Sequence, residues 1–376
     1  MTAGATRFDV IVLGVGGMGS AACWALARRG VRTLGLEQHT LGHALGSSHG
    51  QSRLIRQAYF EHPAYVPLLK SAYALWDEAG AAYGATLLHR TGLVIYGRED
   101  GTILSGVRRS SAEHAIPIVH LAPDQAAAAY PVFAPPPGFG AIMEPAAGYL
   151  EVETCVRALA QLAVAQGARI HEGERVLSCV ESAAGVTVVT DRGRYEADHV
   201  VVTAGPWAAA GAFLPAAAAR QLRVHRVPLF WFEAPAALAC GRGAPCFGFE
   251  MDEGFIYGLP ALDERGFKLG LHLPGAPVAA PEQVDRSMQA ADLEPLVRFL
   301  RRCLPSVDPR PTAHTVCMYT MTPDEHFLVD RRGRTSYAAG FSGHGFKFAT
   351  VIGELLADLA LTGRTALPAD FLRYRW

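Results

Sequence analysis

Residues 8–13, FDVIVL, form an almost unbroken apolar run, the pattern of a strand buried on both faces. A glycine-rich stretch, GVGGMG, follows at once, and the apolar positions Ala21, Leu26 and Ala27 then predict a helix to Arg29, closed by Gly30. VRTLGLE predicts a second strand that ends in Glu37. Further along, ADHVVVTAGPW (197–207) predicts a strand running into a small-residue turn, and Phe267 and Leu269 flank Lys268 in another strand-like run. A helix is predicted from about Thr350, after the turn Gly343-His344-Gly345. Val200 to Ala219 carries no charge over twenty residues and is long enough to test as a membrane span. It divides into a β-branched run, the turn Gly205-Pro206, and an alanine-rich part (208–219) that reads as short helical pieces on either side of Pro215, so no span is expected. The fold class is α/β.

At 376 residues the chain exceeds what one core usually supports, so two domains, or one with a large insertion, are expected. With 34 basic against 35 acidic residues and no run of either sign, nothing favours nucleic acid or an anionic membrane, and a small molecule is the expected partner. The seven cysteines (23, 155, 179, 240, 246, 303 and 317) are scattered without a CxxC pair. That argues against a disulfide framework and a zinc site, and for a reducing cytoplasm. The stretch before the first strand is too short for a signal peptide, and the last four residues, RYRW, are no peroxisomal address.

The glycines of the first turn have separate tasks. Gly14 permits a tight turn, Gly16 lets backbone approach a pyrophosphate, and Gly19 lets helix pack on strand. The helix start receives the phosphate charge, and Glu37, eighteen residues past Gly19, stands where an acid accepts hydrogen bonds from a ribose hydroxyl. A dinucleotide site is therefore expected, with NAD or FAD left open by the motif. Cys317, in HTVCMYT, is open to several readings. It has no second cysteine nearby for zinc and no forced activating base, and a buried inert thiol is the ordinary reading.

Four distant segments, SSHGQSRLIRQAY (47–59), YGLPALDERGFKLGLH (257–272), HTVCMYT (314–320) with DEHFLVD (324–330), and AAGFSGHGFKF (338–348), resemble the monomeric sarcosine oxidase and N-methyltryptophan oxidase family, in matching order along essentially the whole chain. ADHVVVTAGPW resembles the second flavin contact of such glutathione-reductase-like amine oxidases, and Val176 the position whose backbone meets the adenine. The resemblance implies FAD, a Rossmann-like FAD-binding domain (1–85, 150–215 and 320–376) and an inserted substrate domain with a mixed or antiparallel sheet (86–149 and 216–319).

It further implies that Cys317 carries a covalent thioether to the 8α carbon of FAD, and that Arg56 and Lys347 pair with a substrate carboxylate. Tyr257, His272 and Tyr319 would line the substrate side of the flavin, and Gly343, His344 and Gly345 would approach its pyrimidine end. Lys268, with Arg53 and upstream Ser48 and His49, would lie across the ring and stabilise superoxide as oxygen takes the first electron. Gly248 falls where sarcosine enzymes have a bulkier side chain, which predicts room for a larger substituent. The implied activity is oxidation of secondary amino acids by a monomer, with hydride passing to flavin and oxygen giving hydrogen peroxide. The alternatives are a pipecolate-type cyclic substrate and a flavin dehydrogenase with another acceptor.

Overall fold

The structure is a computed structural model that describes residues 6–209 and 213–376. Residues 210–212 of the alanine-rich stretch lie outside the described residues; on either side are a 3-10 turn, Gly205–Ala209, and a helix, Ala216–Gln221, beginning directly after Pro215.

The described strands form three sheets. The first has a parallel spine of Arg169–His171, Thr33–Leu36, Thr6–Leu13, Arg194–Val202 and Thr335–Ala339. Val176–Ser182, Gly185–Thr190 and Leu328–Arg332 extend it by antiparallel pairing. The unbroken FDVIVL run is explained by its two covered faces. Val10 and Val12 pack into a cluster with the helix Gly17–Ala27, whereas Ile11 and Leu13 pack with Val200, Val202 and Val188 on the other side. The helix Gly17–Ala27 is buried along nearly its whole length because Val152–Ala165 and Ala349–Thr362 flank it. That burial accounts for its small, all-round apolar sequence.

The second sheet runs, in spatial order, through Pro311–Met321, Arg223–Phe232, Phe267–Leu271, Gly254–Leu259, Cys246–Met251, Leu93–Arg98, Phe139–Glu144 and Val119–Leu121. Its pairings are antiparallel except between Cys246–Met251 and Leu93–Arg98. One face holds an aromatic core of Tyr96, Phe133, Phe230, Phe232, Phe247, Phe249 and Phe267, closed by Leu296, Phe299 and Leu300 of the helix Ala290–Cys303. A third, small sheet of Ser52–Ile55, Gly148–Glu151 and Leu88–His89 carries the segment that follows the first helix–strand unit. No helix among the described residues is long and apolar enough to cross a membrane.

Candidate active site

A cavity of about 560 Å³ opens at the carboxyl ends of the first sheet's central strands and reaches the second sheet. That is where open α/β sheets bind ligands. At its deep end lies the glycine turn. Gly14 has φ +86°, and a Cβ there would stand 2.7 Å from the Thr203 carbonyl. Gly16 is on the cavity wall, and the neighbouring Gly17 N–H donates to Ser48 Oγ at 3.1 Å. Gly19 is not on the wall; a Cβ there would lie 1.9 Å from the Gly14 carbonyl oxygen, so it serves the packing of helix on strand. Glu37 accepts hydrogen bonds from the Val15 and His39 amides, both at 2.9 Å, which fixes its carboxylate on the wall. Val176 lines the same end. A turn that tolerates no side chain, amides at a helix start and an anchored acid fit the two phosphates and a ribose of FAD.

Cys317 and Tyr319 reach the cavity from the strand Pro311–Met321 of the second sheet. Cys317 is 2% exposed, and Arg53 Nη2 donates to its sulfur at 3.2 Å. Burial opposes the Arg53 charge, but Cys317 foremost, with Tyr257, Tyr319 and Glu153, holds the guanidinium above its ordinary range.

The other end of the cavity is aromatic. Phe60, Phe255, Tyr257 and Tyr319 line it, and into this wall project Arg56, Lys347, His272 and Glu61. Arg56 is 3% exposed, stacks on Phe60 at 4.0 Å and Tyr59 at 4.5 Å, and donates through Nη2 to both Glu61 oxygens, at 2.7 and 2.6 Å. Burial works against the Glu61 charge, yet Arg56, then His344 and Lys347, bring its carboxyl down to about 2. Lys347 donates to the His344 carbonyl at 2.7 Å; burial and then Arg56 lower its ammonium to about 7, against the pull of Glu61.

His272 Nδ1 lies 3.1 Å from the Tyr319 hydroxyl, and burial lowers its imidazole to about 4, with Lys347 and Arg56 adding to the effect and Glu61 opposing it. It is neutral at physiological pH. His344 is neutral too, lowered to about 3 chiefly by burial. Its Nε2 donates to the Glu325 carbonyl at 3.1 Å, which leaves Nδ1 to accept from the Tyr59 hydroxyl. Gly343, φ +83°, brings the turn hard against Tyr319: a Cβ would stand 2.3 Å from that ring. Gly345 completes the turn on the cavity wall.

Three more of the anticipated residues stand off the wall. Lys268, 1% exposed, turns its Nζ to the Gly50 carbonyl at 2.8 Å and to the Ser52 carbonyl, because an ammonium in that interior needs acceptors. It stands behind Arg53, which also donates to the Ser52 carbonyl. His49 is 1% exposed, its Nε2 has no partner among the described residues, and burial, with Arg53 next, lowers it to about 3; it is a neutral buried ring off the wall. Gly248 gives no free room: a Cβ there would lie 2.3 Å from Phe255, whose ring fills the space and faces the cavity itself. The sequence reading missed Phe60, Glu61 and Phe255. Glu61 carried one faint signal, an acid five residues after Arg56, but only the turn between them makes the two meet.

This scaffold and cavity define a dinucleotide-binding protein with a second, charged and aromatic pocket beside the cofactor site. The family described as FAD dependent oxidoreductase matches residues 9–359, and the chain belongs to it. It is 37% identical over 370 residues to monomeric sarcosine oxidase of Streptomyces avermitilis, covering 96% of this chain and 95% of that protein. It is 35% identical over 358 residues to N-methyl-L-tryptophan oxidase of Yersinia pestis, covering 94% and 95%. Among solved structures it resembles NikD, an amino acid oxidase of nikkomycin biosynthesis, with TM-score 0.85, 26% identity and 98% of both chains covered. The protein is an FAD-dependent oxidoreductase acting on CH–NH bonds.

Proposed function

We propose that this chain is an oxidase of N-methyl amino acids, with sarcosine or an N-methyltryptophan-like compound as substrate, and that Cys317 holds the FAD covalently. The observation that carries the reading is the buried cation pair Arg56 and Lys347, which faces a single carboxylate, Glu61, on a largely aromatic wall and so leaves one positive charge to pair. A carboxylate entering such a wall must be paired, and an arginine fork with a nearby ammonium is suited to it. Held by the Gly14–Gly19 turn, Glu37 and Cys317, FAD would supply the acceptor for a hydride from the carbon beside the amine nitrogen and the means of passing two electrons to oxygen, which would give hydrogen peroxide.

The chain's own part is to present the amine unprotonated. The setting that keeps His272 neutral, burial that prevails over the pull of Glu61 with Lys347 and Arg56 on its side, also disfavours an ammonium beside it. The neutral imidazole and the Tyr319 hydroxyl then hold the free amine by hydrogen bonding. Arg53 on the cavity wall and the buried Lys268 behind it would supply positive charge to stabilise the anion formed as oxygen is reduced.

The test is anaerobic mixing of the yellow protein with sarcosine, N-methyltryptophan, pipecolate and proline, followed by air. Bleaching by an N-methyl amino acid, reversed by oxygen with peroxide formed, supports the reading. Bleaching by pipecolate or proline alone moves the substrate to cyclic amines, and bleaching that air does not reverse makes the protein a dehydrogenase.

The carboxylate site has its own signature. Arg56→Ala is expected to weaken carboxylate inhibitors by about 1.5–3 kcal/mol and to leave neutral analogues nearly unaffected. Lys347 is charged below about 7 and neutral above it, so carboxylate affinity should fall as pH rises through that value. Binding titrations across that range should show the fall in wild type and lose it in Lys347→Met. Equal losses for charged and neutral ligands would remove both residues from this role.

A further inference from the structure

The turn Gly50-Gln51-Ser52 is built unusually. Gly50 has φ +89°, and Gln51, a residue with a side chain, has φ +72°. Such a backbone persists only where its surroundings impose it. Here they do so from both sides. On one side the carbonyls of Gly50 and Ser52 take the Lys268 ammonium, and Ser52 also takes Arg53 Nη1 at 3.1 Å. On the other side the amides converge on one carboxylate: Gly50 N–H donates to Glu153 Oε1 at 2.7 Å, and Gln51 N–H to Oε1 and Oε2 at 3.2 and 3.1 Å. Successive amides in this conformation form an anion-binding nest. The Gln51 side chain is held as well, by Trp231 Nε1 at 2.9 Å.

A buried ammonium and a half-buried guanidinium thus lie side by side, and among the described residues no carboxylate touches either. Glu153, in the first turn of the helix Val152–Ala165, is the one carboxylate that acts on both of them, through the peptide turn. We infer that Glu153 is a positioning residue for the oxygen-side cations: its carboxylate fixes the turn whose carbonyls hold Lys268 and provides the counter-charge for Lys268 and Arg53. The inference rests on the proposal that these cations serve the reaction with oxygen.

The groups facing Lys268 set the sign. Burial and then Arg53 lower its ammonium well below the ordinary range, while Glu153 first, then Cys317 and Cys246, raise it. The neutral His49 also faces it. Removing the Glu153 charge therefore lowers the pH at which Lys268 loses its proton.

The chain has only three lysines, at 70, 268 and 347, so protein grown with ε-13C lysine gives three resolvable signals, with exposed Lys70 as internal control and Lys268→Met for assignment. In the flavin-loaded E153Q protein the Lys268 midpoint is expected to fall by about one pH unit or more, with Lys70 unmoved. The alkaline loss of reoxidation by oxygen should move down with it, while anaerobic reduction by substrate keeps its wild-type rate. E153D, which keeps the charge but withdraws it by one methylene, should give a smaller fall in the same direction and faster amide exchange at Gly50 and Gln51. A Lys268 midpoint at its wild-type value in E153Q overturns the inference. Should E153Q fail to hold flavin, an E153D protein with unchanged midpoint and unchanged exchange overturns it equally. A Lys268→Met enzyme that reoxidises at the wild-type rate would instead remove the oxygen-side reading, whatever Glu153 does to the titration.

Discussion

Acid precipitation of the wild-type protein is expected to leave the yellow colour in the pellet, and Cys317→Ala to release all of its flavin into the supernatant. The effect is all or nothing because a thioether is either made or absent. The chemistry favouring the bond is local: a sulfur on the cavity wall, 2% exposed, with the Arg53 guanidinium 3.2 Å away. The substitution should not unfold the chain. Cys317 pairs with Val227 from the edge strand of the second sheet, and losing one small buried group costs about 1 kcal/mol. Such a bond would also withdraw electron density from the ring, so flavin held by Cys317→Ala should have a lower reduction potential and be reduced more slowly by substrate. Wild-type flavin recovered entirely in the acid supernatant would end the covalent assignment.

The second large effect is expected at Lys268. Lys268→Met should slow reoxidation by oxygen about 10²-fold to 10³-fold, the usual loss when one preorganised charge-stabilising group is removed. Anaerobic reduction by substrate should be unaffected. The carbonyls that lose the ammonium are not orphaned: Gly50 O still accepts from the Ser52 amide at 2.9 Å and Ser52 O from Arg53. The turn should therefore stand, and stopped-flow mixing of reduced enzyme with oxygen reads charge rather than collapse. An unchanged oxygen rate would take Lys268 out of the mechanism.

What could be read in the sequence was what the chain writes contiguously. The turn Gly14 to Gly19 and the acid at Glu37 belong to one strand–helix–strand unit, so spacing alone placed them, and the strand Thr6–Leu13 announced its two covered faces by an unbroken apolar run. The roles expected of Cys317, Tyr319 and the turn at 343–345 came from the resemblance of their segments to a family, since the residues alone allow an ordinary buried thiol and an ordinary glycine turn. Contacts decided by register between distant strands were not legible. Nothing near Gly248 says that the ring filling its space is Phe255, because that depends on how Cys246–Met251 pairs with Gly254–Leu259. The strand-like run around Lys268 was readable, but its acceptors lie more than two hundred residues upstream. Glu153 meets Gly50 across a separation of 103 residues, and its neighbours in sequence show only an ordinary helix start.

The phosphate-binding turn belongs to the first sheet and Cys317 to the second, and one cavity runs between them. A cofactor gripped by backbone at one end and bonded to sulfur at the other would rivet the two sheets together, so that neither could melt away from its neighbour without stretching the same molecule. The bond would then act as a mechanical brace as much as an anchor. Heating a mixture of linked and unlinked protein should resolve into two transitions, the bonded fraction melting last.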